Sequence, residues 1–197
     1  MSLWLSMMLI AAPPAMSDSA VVAMAKSVQR ELLELPEYGP FDHVGYSIHA
    51  NEVTLRGFAS RQALKDAANR VVRGVAGVKN VVDELELLPS SASDDTIRAG
   101  VFAAIYGDPL LAHYNPNRGV PVWMTPASSA KGVTSDPPPG FHPIRIIVNN
   151  GRVRLTGVVD NEADKCLAGV RAQSVPGMLS FDNDLAIVTD AKAHRRK

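Results

Sequence analysis

The fold of this chain is decided by a segment that occurs twice. The first copy, residues 53–85, reads VTLRGFASRQALKDAANRVVRGVAGVKNVVDEL, and the second copy, residues 153–185, reads VRLTGVVDNEADKCLAGVRAQSVPGMLSFDNDL. The copies align without a gap at a shift of one hundred positions. Nine positions are then identical: Val53/Val153, Leu55/Leu155, Gly57/Gly157, Ala63/Ala163, Lys65/Lys165, Ala68/Ala168, Val75/Val175, Gly77/Gly177 and Leu85/Leu185. Because these identities fall on strand, helix and turn positions, they indicate an internal duplication.

A β-hairpin pattern spans the start of each copy: its first strand lies just before the copy, and its second strand begins the copy. Apolar residues alternate with other residues, the period of a half-buried strand, through residues 44–48 and 53–57 in the first copy. The second copy repeats the pattern through residues 144–148 and 153–157. Asn150-Gly151 lies between these last two runs, and an Asn-Gly pair tolerates the positive φ values of a tight turn. The sequence therefore predicts one hairpin in each copy.

An amphipathic helix follows each hairpin. In the first copy the apolar residues of 63–72 share one helix face, and Ser60 is placed to cap the helix. In the second copy Asp160 takes the capping position, and Ala163, Leu167 and Val170 form the predicted buried stripe. Cys166, the one cysteine, is expected in the core because it lies mid-helix beside Leu167.

A further helix precedes each hairpin, through residues 20–35 in the first copy and 97–105 in the second, the latter capped by Asp94 or Asp95. A crossover from hairpin through helix to a last strand returns the chain to the same sheet. The prediction is an α+β fold of two αββαβ modules, 18–89 and 94–189. Each module has a three-stranded mixed sheet with two helices on one face.

These motifs resemble those of the BON-domain family, the bacterial osmotic-shock and nodulation modules. The resemblance rests on Asn51-x-Val53-x-Leu55-x-Gly57 and Val75-x-Gly77-Val78-x-Asn80-Val81-x-x-x-Leu85, repeated as Asn150-Gly151-x-Val153-x-Leu155-x-Gly157 and Val175-Pro176-Gly177-x-x-x-Phe181-x-x-x-Leu185. The resemblance implies a soluble periplasmic stress protein whose modules engage phospholipid surfaces or partner proteins. It implies no catalytic residues. The recurrent glycines are structural: Gly57 and Gly157 leave room for close backbone approach, and Gly77 and Gly177 allow a tight turn.

The two ends of the chain have distinct compositions. Residues 3–12 form an apolar run that is shorter than the roughly 20 residues of a membrane-spanning helix. With Ala15 and Ser17 flanking a cleavage point, residues 1–17 match a secretory signal, although no Lys or Arg precedes the run. The alternatives are a true start further upstream or a buried N-terminal strand. Residues 190–197 form a basic tail, expected to be solvated.

A long insertion at about 112–142 separates the second copy's first helix from its hairpin. Loops of this length inside a compact module are usually functional or disordered. Trp123 and Met124 give the insertion an apolar tip that is suited to a membrane interface or a partner's groove. The alternative is that the insertion folds back over its own sheet.

The charge pattern suggests a second candidate contact. Arg145, Arg152 and Arg154 are predicted to project from one face of the second hairpin, where three guanidinium groups suit phosphate headgroups. The alternative is ordinary solvation of an exposed strand face. Twenty basic residues offset twenty acidic ones, so no overall field argues for nucleic acid.

The sequence contains no recognisable active site. None of the five histidines is spaced for a metal pair on a helix, and His113 and His142, which bracket the insertion, have no carboxylate or cysteine beside them at ligand spacing. Ser128-Ser129 lacks the setting of a nucleophile elbow. We therefore expect neither enzyme nor metal nor cofactor. The predicted function is an exported envelope protein that associates with anionic phospholipid surfaces under osmotic or envelope stress. The alternative is an adaptor that docks an envelope protein through the insertion or a sheet edge.

Overall fold

The computed structural model describes residues 18–116 and 141–188. The predicted signal segment, Trp123, Met124 and the basic tail lie outside the described residues. The first module consists of α1 (Asp18–Leu33), β1 (His43–His49), β2 (Glu52–Ala59), α2 (Gln62–Arg73) and β3 (Asn80–Leu87). The second consists of α3 (Ala92–Tyr106), a 3-10 helix (Ala112–Tyr114), β4 (Ile144–Asn149), β5 (Arg152–Val159), α4 (Glu162–Gln173) and β6 (Ser180–Ile187).

The two sheets have the same topology. In the first, β2 lies between β1, with which it is antiparallel, and β3, with which it is parallel. In the second, β5 lies in the same way between β4 and β6. Residues from both helices of each module pack against one face of its sheet. The predicted α+β fold of two αββαβ modules is confirmed.

The hairpin turn of the second module is held by a buried carboxylate. Asn150 and Gly151 have positive φ values of 51° and 74°, and the strands pair directly on either side of them, as the Asn-Gly motif predicts. Both of their backbone N–H groups donate to Asp94, at 2.8 Å each. Asp94 was expected to cap α3, but the cap is Ser91, whose hydroxyl accepts from the backbone N–H of Asp94. Asp94 instead connects the start of α3 to the hairpin.

The buried face of α4 differs from the predicted one. Leu167 packs against the core as predicted, but Ala163, Cys166 and Val170 are exposed, so the predicted stripe is wrong at Ala163 and Val170 and the core position of the cysteine is wrong. The helix instead buries its smallest residues, Ala168, Gly169 and Ala172. A Cβ on Gly169 would meet the Asn183 side chain of β6, so the small residues permit a close approach of helix to sheet.

The helices after the hairpins begin one residue later than predicted. The N-cap residues are Arg61 and Asn161, in place of Ser60 and Asp160. Asn161 accepts a hydrogen bond from the backbone N–H of Asp164 at 2.9 Å, the usual interaction of a capping amide. Arg61 makes no side-chain capping bond. The buried face predicted for α2 is confirmed at Leu64, Ala67, Ala68 and Val72.

The modules are joined by a loop of the first that enters the core of the second. Phe41, between α1 and β1, is fully buried in the second module's hydrophobic cluster, with its ring centroid 6.1 Å from that of Phe102. The carbonyl of Pro40 accepts a hydrogen bond from the N–H of Ile146 at 2.7 Å, on the free edge of β4. The first module keeps a hydrophobic cluster of its own, and Phe41 with the Pro40–Ile146 bond joins that module to the core of the second.

Candidate binding surfaces

The uncovered faces of the two sheets are turned toward each other. His43 in β1 and Thr156 in β5 lie on these faces, and the His43 Nδ1 atom is 3.2 Å from the Thr156 hydroxyl. Between the faces is a cleft of about 570 Å³, which we call the inter-module cleft. Its lining comprises Phe58, Glu86, Ile147, Asn149, Arg152, Val153, Arg154, Leu179, Ser180 and Asp182.

Arg145 lies on the predicted sheet face but is not available there. It is only 4% exposed, and its Nη1 donates to the Gly39 carbonyl at 2.6 Å. Its guanidinium carbon lies 4.1 Å from the ring centroid of Tyr38 and 5.2 Å from that of Phe141. The prediction that Arg145 projects outward is therefore wrong, because a loop of the first module covers it. Its role is to hold the two modules together through a hydrogen bond and cation–π contacts.

The two remaining arginines of that face differ in their partners. Arg154 forms ion pairs with Asp182 at 3.6 Å and with Asp184 at 3.3 Å, both in β6. Arg152 is exposed at the rim of the inter-module cleft and has no ion pair among the described residues. This sheet face thus carries two guanidinium groups and two carboxylates. The sheet face does not carry the excess positive charge that the sequence pattern alone suggests.

A group of cations that the sequence reasoning missed lies on the helices of the first module. Arg30 of α1 and Arg70 of α2 line one groove of about 470 Å³, and Arg30 also lines a second groove of about 350 Å³ with Lys26. Arg73 follows Arg70 by one helical turn, and all four side chains are exposed. We call these four residues the basic helix face. The i, i+4 spacing of Lys26 and Arg30 and the i, i+3 spacing of Arg70 and Arg73 are the sequence signal that could have revealed this face.

The surroundings of the basic helix face are mixed. The exposed apolar residues Val22, 53% exposed, and Leu33, 41% exposed, lie on α1 on either side of its cations. Glu31 and Glu34 line the same grooves, and Glu31 lies 3.2 Å from Arg30 in a solvent-exposed ion pair. Cations in the last turns of α1 and α2 also stabilise those helices through the helix dipole. Four cations against two carboxylates leave this surface positive.

The two histidines that bracket the insertion have separate environments. His142 is fully buried, and its ring centroid lies 5.6 Å from that of Phe102 and 5.0 Å from that of Tyr106. His113, in the 3-10 helix, instead contacts Asp160 and Asp164. The sequence shows no carboxylate at ligand spacing beside either histidine, but the fold brings two carboxylates to His113. Some fifty residues separate His113 from these carboxylates, so only the folded chain brings them together.

The next residue of the 3-10 helix fixes this cluster in place. The hydroxyl of Tyr114 donates to Asp164 at 2.7 Å and accepts from the backbone N–H of Asp160, also at 2.7 Å. Burial, together with the adjacent carboxylates of Asp164 and Asp160, raises the pKa of the Tyr114 hydroxyl, so Tyr114 stays a neutral donor. Among the described residues, the group able to hold a metal ion is His113 with Asp160 and Asp164.

The repeated modules, with their facing sheets and the Phe41 contact between them, define a tandem-module protein. The BON domain model matches residues 22–89 and 131–189, more than half of the chain, and the chain belongs to this family. It is similar to the osmotically-inducible protein Y of Escherichia coli (strain K12), with 28% identity over 172 residues, or 86% of this chain and 72% of that protein. The family resemblance carried by the sequence motifs is confirmed.

Two solved structures of CdsD, a structural protein of the type III secretion system of Chlamydia trachomatis, also match. The first is 13% identical and covers 88% of this chain and 97% of that chain, with a TM-score of 0.28. The second, a C-terminal domain, is 14% identical and covers 87% and 98%, with a TM-score of 0.25. Superpositions this loose support no conclusion about fold or function.

Within residues 18–116 and 141–188, no helix combines the length and apolar character that a membrane span requires.

Proposed function

We propose that this protein is an exported, non-enzymatic binding protein of the bacterial envelope that associates with anionic phospholipid surfaces under osmotic or envelope stress. Membership of the BON family supports this proposal, as does the similarity to a protein named for its osmotic induction. The apolar run at residues 3–12 supports export to the periplasm. The phospholipid contact is assigned to the first module's helices and not to the arginines of the second sheet.

The observation that carries this proposal is the basic helix face. Lys26, Arg30, Arg70 and Arg73 are exposed together on the C-terminal halves of α1 and α2, where two grooves run between and beside them. Each cation near an anionic surface contributes about 1 kcal/mol. The ion pair of Arg30 with Glu31 is exposed, so it is worth little and leaves Arg30 available for a headgroup.

The arginines of the sheet face are less suited to this role. Arg145 is buried against Gly39, and Arg154 is already paired with Asp182 and Asp184. A flat bilayer surface also reaches the outer helices more readily than the interior of the inter-module cleft. The exposed Val22 and Leu33 beside the cations add a small apolar contact at the headgroup level.

The test is co-sedimentation of the mature protein with vesicles. Pure phosphatidylcholine vesicles are compared with vesicles that contain phosphatidylglycerol, at low and at physiological ionic strength. The expected result is pelleting with the anionic vesicles and release by salt, since exposed charges are screened over about 8 Å at 0.15 M. Failure of the protein to pellet with either lipid would overturn the phospholipid proposal.

A matched pair of variants locates the contact. Neutralising Arg70 and Arg73 to Gln removes two cations of the basic helix face, and should weaken binding by about 2 kcal/mol, or roughly thirtyfold. Neutralising Arg56 and Arg152 to Gln makes the same change in net charge on the sheets, away from that face, and should have little effect. Equal losses in both variants would show that binding follows net charge and not this surface.

A second candidate function, as a protein adaptor, is favoured by the inter-module cleft. Leu179 at its rim is 80% exposed, and Phe58 contributes apolar area beside the balanced charges of Arg154 and Asp182. Such a mixed surface suits a protein segment better than a headgroup. A photo-crosslinking residue at position 179 should then capture an envelope protein after osmotic upshift. The same residue at Val170, exposed on α4, should not.

A further inference from the structure

Three metal-ligating side chains from separate parts of the second module meet beside the insertion. The Nε2 atom of His113 lies 3.6 Å from the nearer carboxylate oxygen of Asp160 and 3.5 Å from that of Asp164. One ligand atom from each residue falls within 4.8 Å of the others. We propose that His113, Asp160 and Asp164 bind a divalent transition-metal ion, with zinc as the favoured ion.

The donor set and its dimensions carry this proposal. Zinc takes imidazole nitrogen and carboxylate oxygen at about 2.0–2.2 Å, so two donors on one edge of a tetrahedron are separated by roughly 3.3–3.6 Å. The two distances from His113 match such edges. Calcium and magnesium prefer six or more oxygen ligands, which makes a site with one imidazole and two carboxylates unsuited to them. Three protein ligands leave a fourth position for water.

The surroundings of the cluster hold two of the ligands before any ion binds. Tyr114 adjoins His113 in the chain, and its hydroxyl is bonded both to the Asp164 carboxylate and to the backbone of Asp160. The Asn161 amide also donates to Asp164, at 3.0 Å. Tyr114 and Asn161 are thus positioning residues, the kind of outer contact that orients metal ligands. Asp160 is 64% exposed at its side chain, so it can turn toward an ion at little cost.

The local charge favours a cation, although one effect opposes it. The N-terminus of α4 carries about half a positive charge from the helix dipole, which disfavours a cation there. The carboxylates of Asp160 and Asp164 together carry a larger negative charge, and Glu162 lies exposed between them in the chain. The sum at the cluster remains negative, as a divalent ion requires.

The first module provides an internal comparison, because the same fold there lacks the cluster. Ser60 and Leu64 occupy the positions of Asp160 and Asp164. The backbone N–H of Ser60 is bonded by Asp42 at 2.6 Å, where the second module uses the Tyr114 hydroxyl on Asp160. Holding this turn therefore needs no carboxylate at position 160, and within the described residues the Asp160 carboxylate contacts His113 alone.

The consequence of metal binding is a link between distant segments. His113 belongs to the last element before the insertion, whereas Asp160 and Asp164 flank the start of α4, whose Ala168 and Ala172 lie in the core of the second module. A bound ion would fasten the entry of the insertion to that core. This site is independent of the basic helix face, which lies on the other module.

Isothermal titration calorimetry of zinc chloride into the full chain, purified without an affinity tag and without vesicles, tests the site. The wild type should bind one ion at this site, and His113→Gln and Asp164→Asn should each weaken that binding by at least about tenfold. His49→Gln is the matched control, since it removes an exposed histidine of β1 outside the cluster, and it should bind as the wild type does. Circular dichroism verifies that each variant is folded.

Cobalt, used as a spectroscopic probe, gives a second readout. Its visible absorption should show low-symmetry, near-tetrahedral coordination in the wild type and in His49→Gln, and should lose this signature in His113→Gln. Magnesium should not compete. An absence of zinc binding by the wild type, or undiminished binding by His113→Gln, would overturn the proposal without bearing on the phospholipid contact.

Discussion

At the scale of single residues, two glycines are required by the backbone around them. Gly57 and Gly157 both have a φ of 119°, a conformation that side chains disfavour. A Cβ would overlap the carbonyl oxygen of His43 at Gly57 and that of Pro143 at Gly157. These contacts explain why both copies keep glycine where each second strand passes the start of the first. Gly77 and Gly177, with φ of 92° and 94°, lie in the turns that lead to β3 and β6.

Replacing Gly157 with alanine should therefore lower the free energy of unfolding by at least about 2 kcal/mol, from the strained φ and the backbone overlap. Urea denaturation followed by circular dichroism measures the change. Gly45→Ala is the control, because its Cβ would lie at an ordinary 3.5 Å from the Arg56 carbonyl oxygen. A similar loss in both variants would contradict the specific role of position 157.

At the scale of elements, a few buried polar groups fix how helices and hairpins meet. Asp94 holds the β4–β5 turn, and the Tyr106 hydroxyl both accepts from the N–H of Ile144 and donates to its carbonyl. Arg98, fully buried, donates to the Val148 carbonyl at 2.7 Å and pairs with Asp95. The bonds of Asp94 and Tyr106 and the Arg98–Val148 bond all run from α3 to the second hairpin. The long insertion is thus bridged by contacts of the elements on either side of it.

Asp94→Ala should lower the free energy of unfolding by about 2–3 kcal/mol, because it removes two charge-assisted bonds and leaves two backbone N–H groups without their acceptor. Hydrogen exchange at Asn150 and Gly151 should accelerate at the same time. Asp182→Ala, which alters an exposed carboxylate of β6, should change stability by no more than about 0.5 kcal/mol. Unchanged exchange at the turn would contradict the role given to Asp94.

At the scale of the whole molecule, three contacts join the two repeats. Phe41 fills the second module's core, Arg145 reaches back to the first module's loop, and His43 contacts Thr156. Modules of about 70 residues are marginally stable alone, so we expect these contacts to stabilise both modules. The arrangement also turns the two open sheet faces inward, which leaves the helices as the outer surface of the first module.

Phe41→Ala should lower the free energy of unfolding by about 3–5 kcal/mol, as for other large buried aromatics. Backbone amides of β4 and β5, in the second module, should lose protection from hydrogen exchange although the substitution is in the first module. Phe58→Ala, in the partly exposed wall of the cleft, should have a smaller effect. Two separate unfolding transitions in the wild type would show that the modules fold independently.

The interface should also respond to acid. Burial, and then the positive charges of Arg145 and Arg154, lower the pKa of His43, whereas in the unfolded chain its imidazole binds a proton near its ordinary pKa of about 6.5. The unfolded state therefore gains protons first as the pH falls. The stability contributed by neutral His43 is complete above that pH and is lost as the pH falls from there through the folded pKa. His43→Gln should flatten the stability profile between about pH 7 and 5, measured by urea denaturation at each pH.

The sequence by itself determined the repeated unit and its local form. Alternation in the strands, the Asn150-Gly151 turn and the four recurrent glycines specify αββαβ twice, because these signals depend on neighbours within one segment. The sequence did not predict which face of α4 is buried, because apolar residues are spread around that helix. The buried face is set by the fit of Gly169 against Asn183. Side-chain periodicity contains no information of that kind.

Tertiary structure alone decided which side chains are available for binding. The strand pattern predicts that Arg145 is exposed, but a loop about a hundred residues earlier in the chain covers it. Arg154 reads as a free cation, but the parallel neighbour β6 supplies its carboxylates. His113 reads as isolated, but the fold places Asp160 and Asp164 beside it. The physical reason is common to all three: burial and ion pairing depend on contacts between segments that are distant in the chain, which local pattern does not encode.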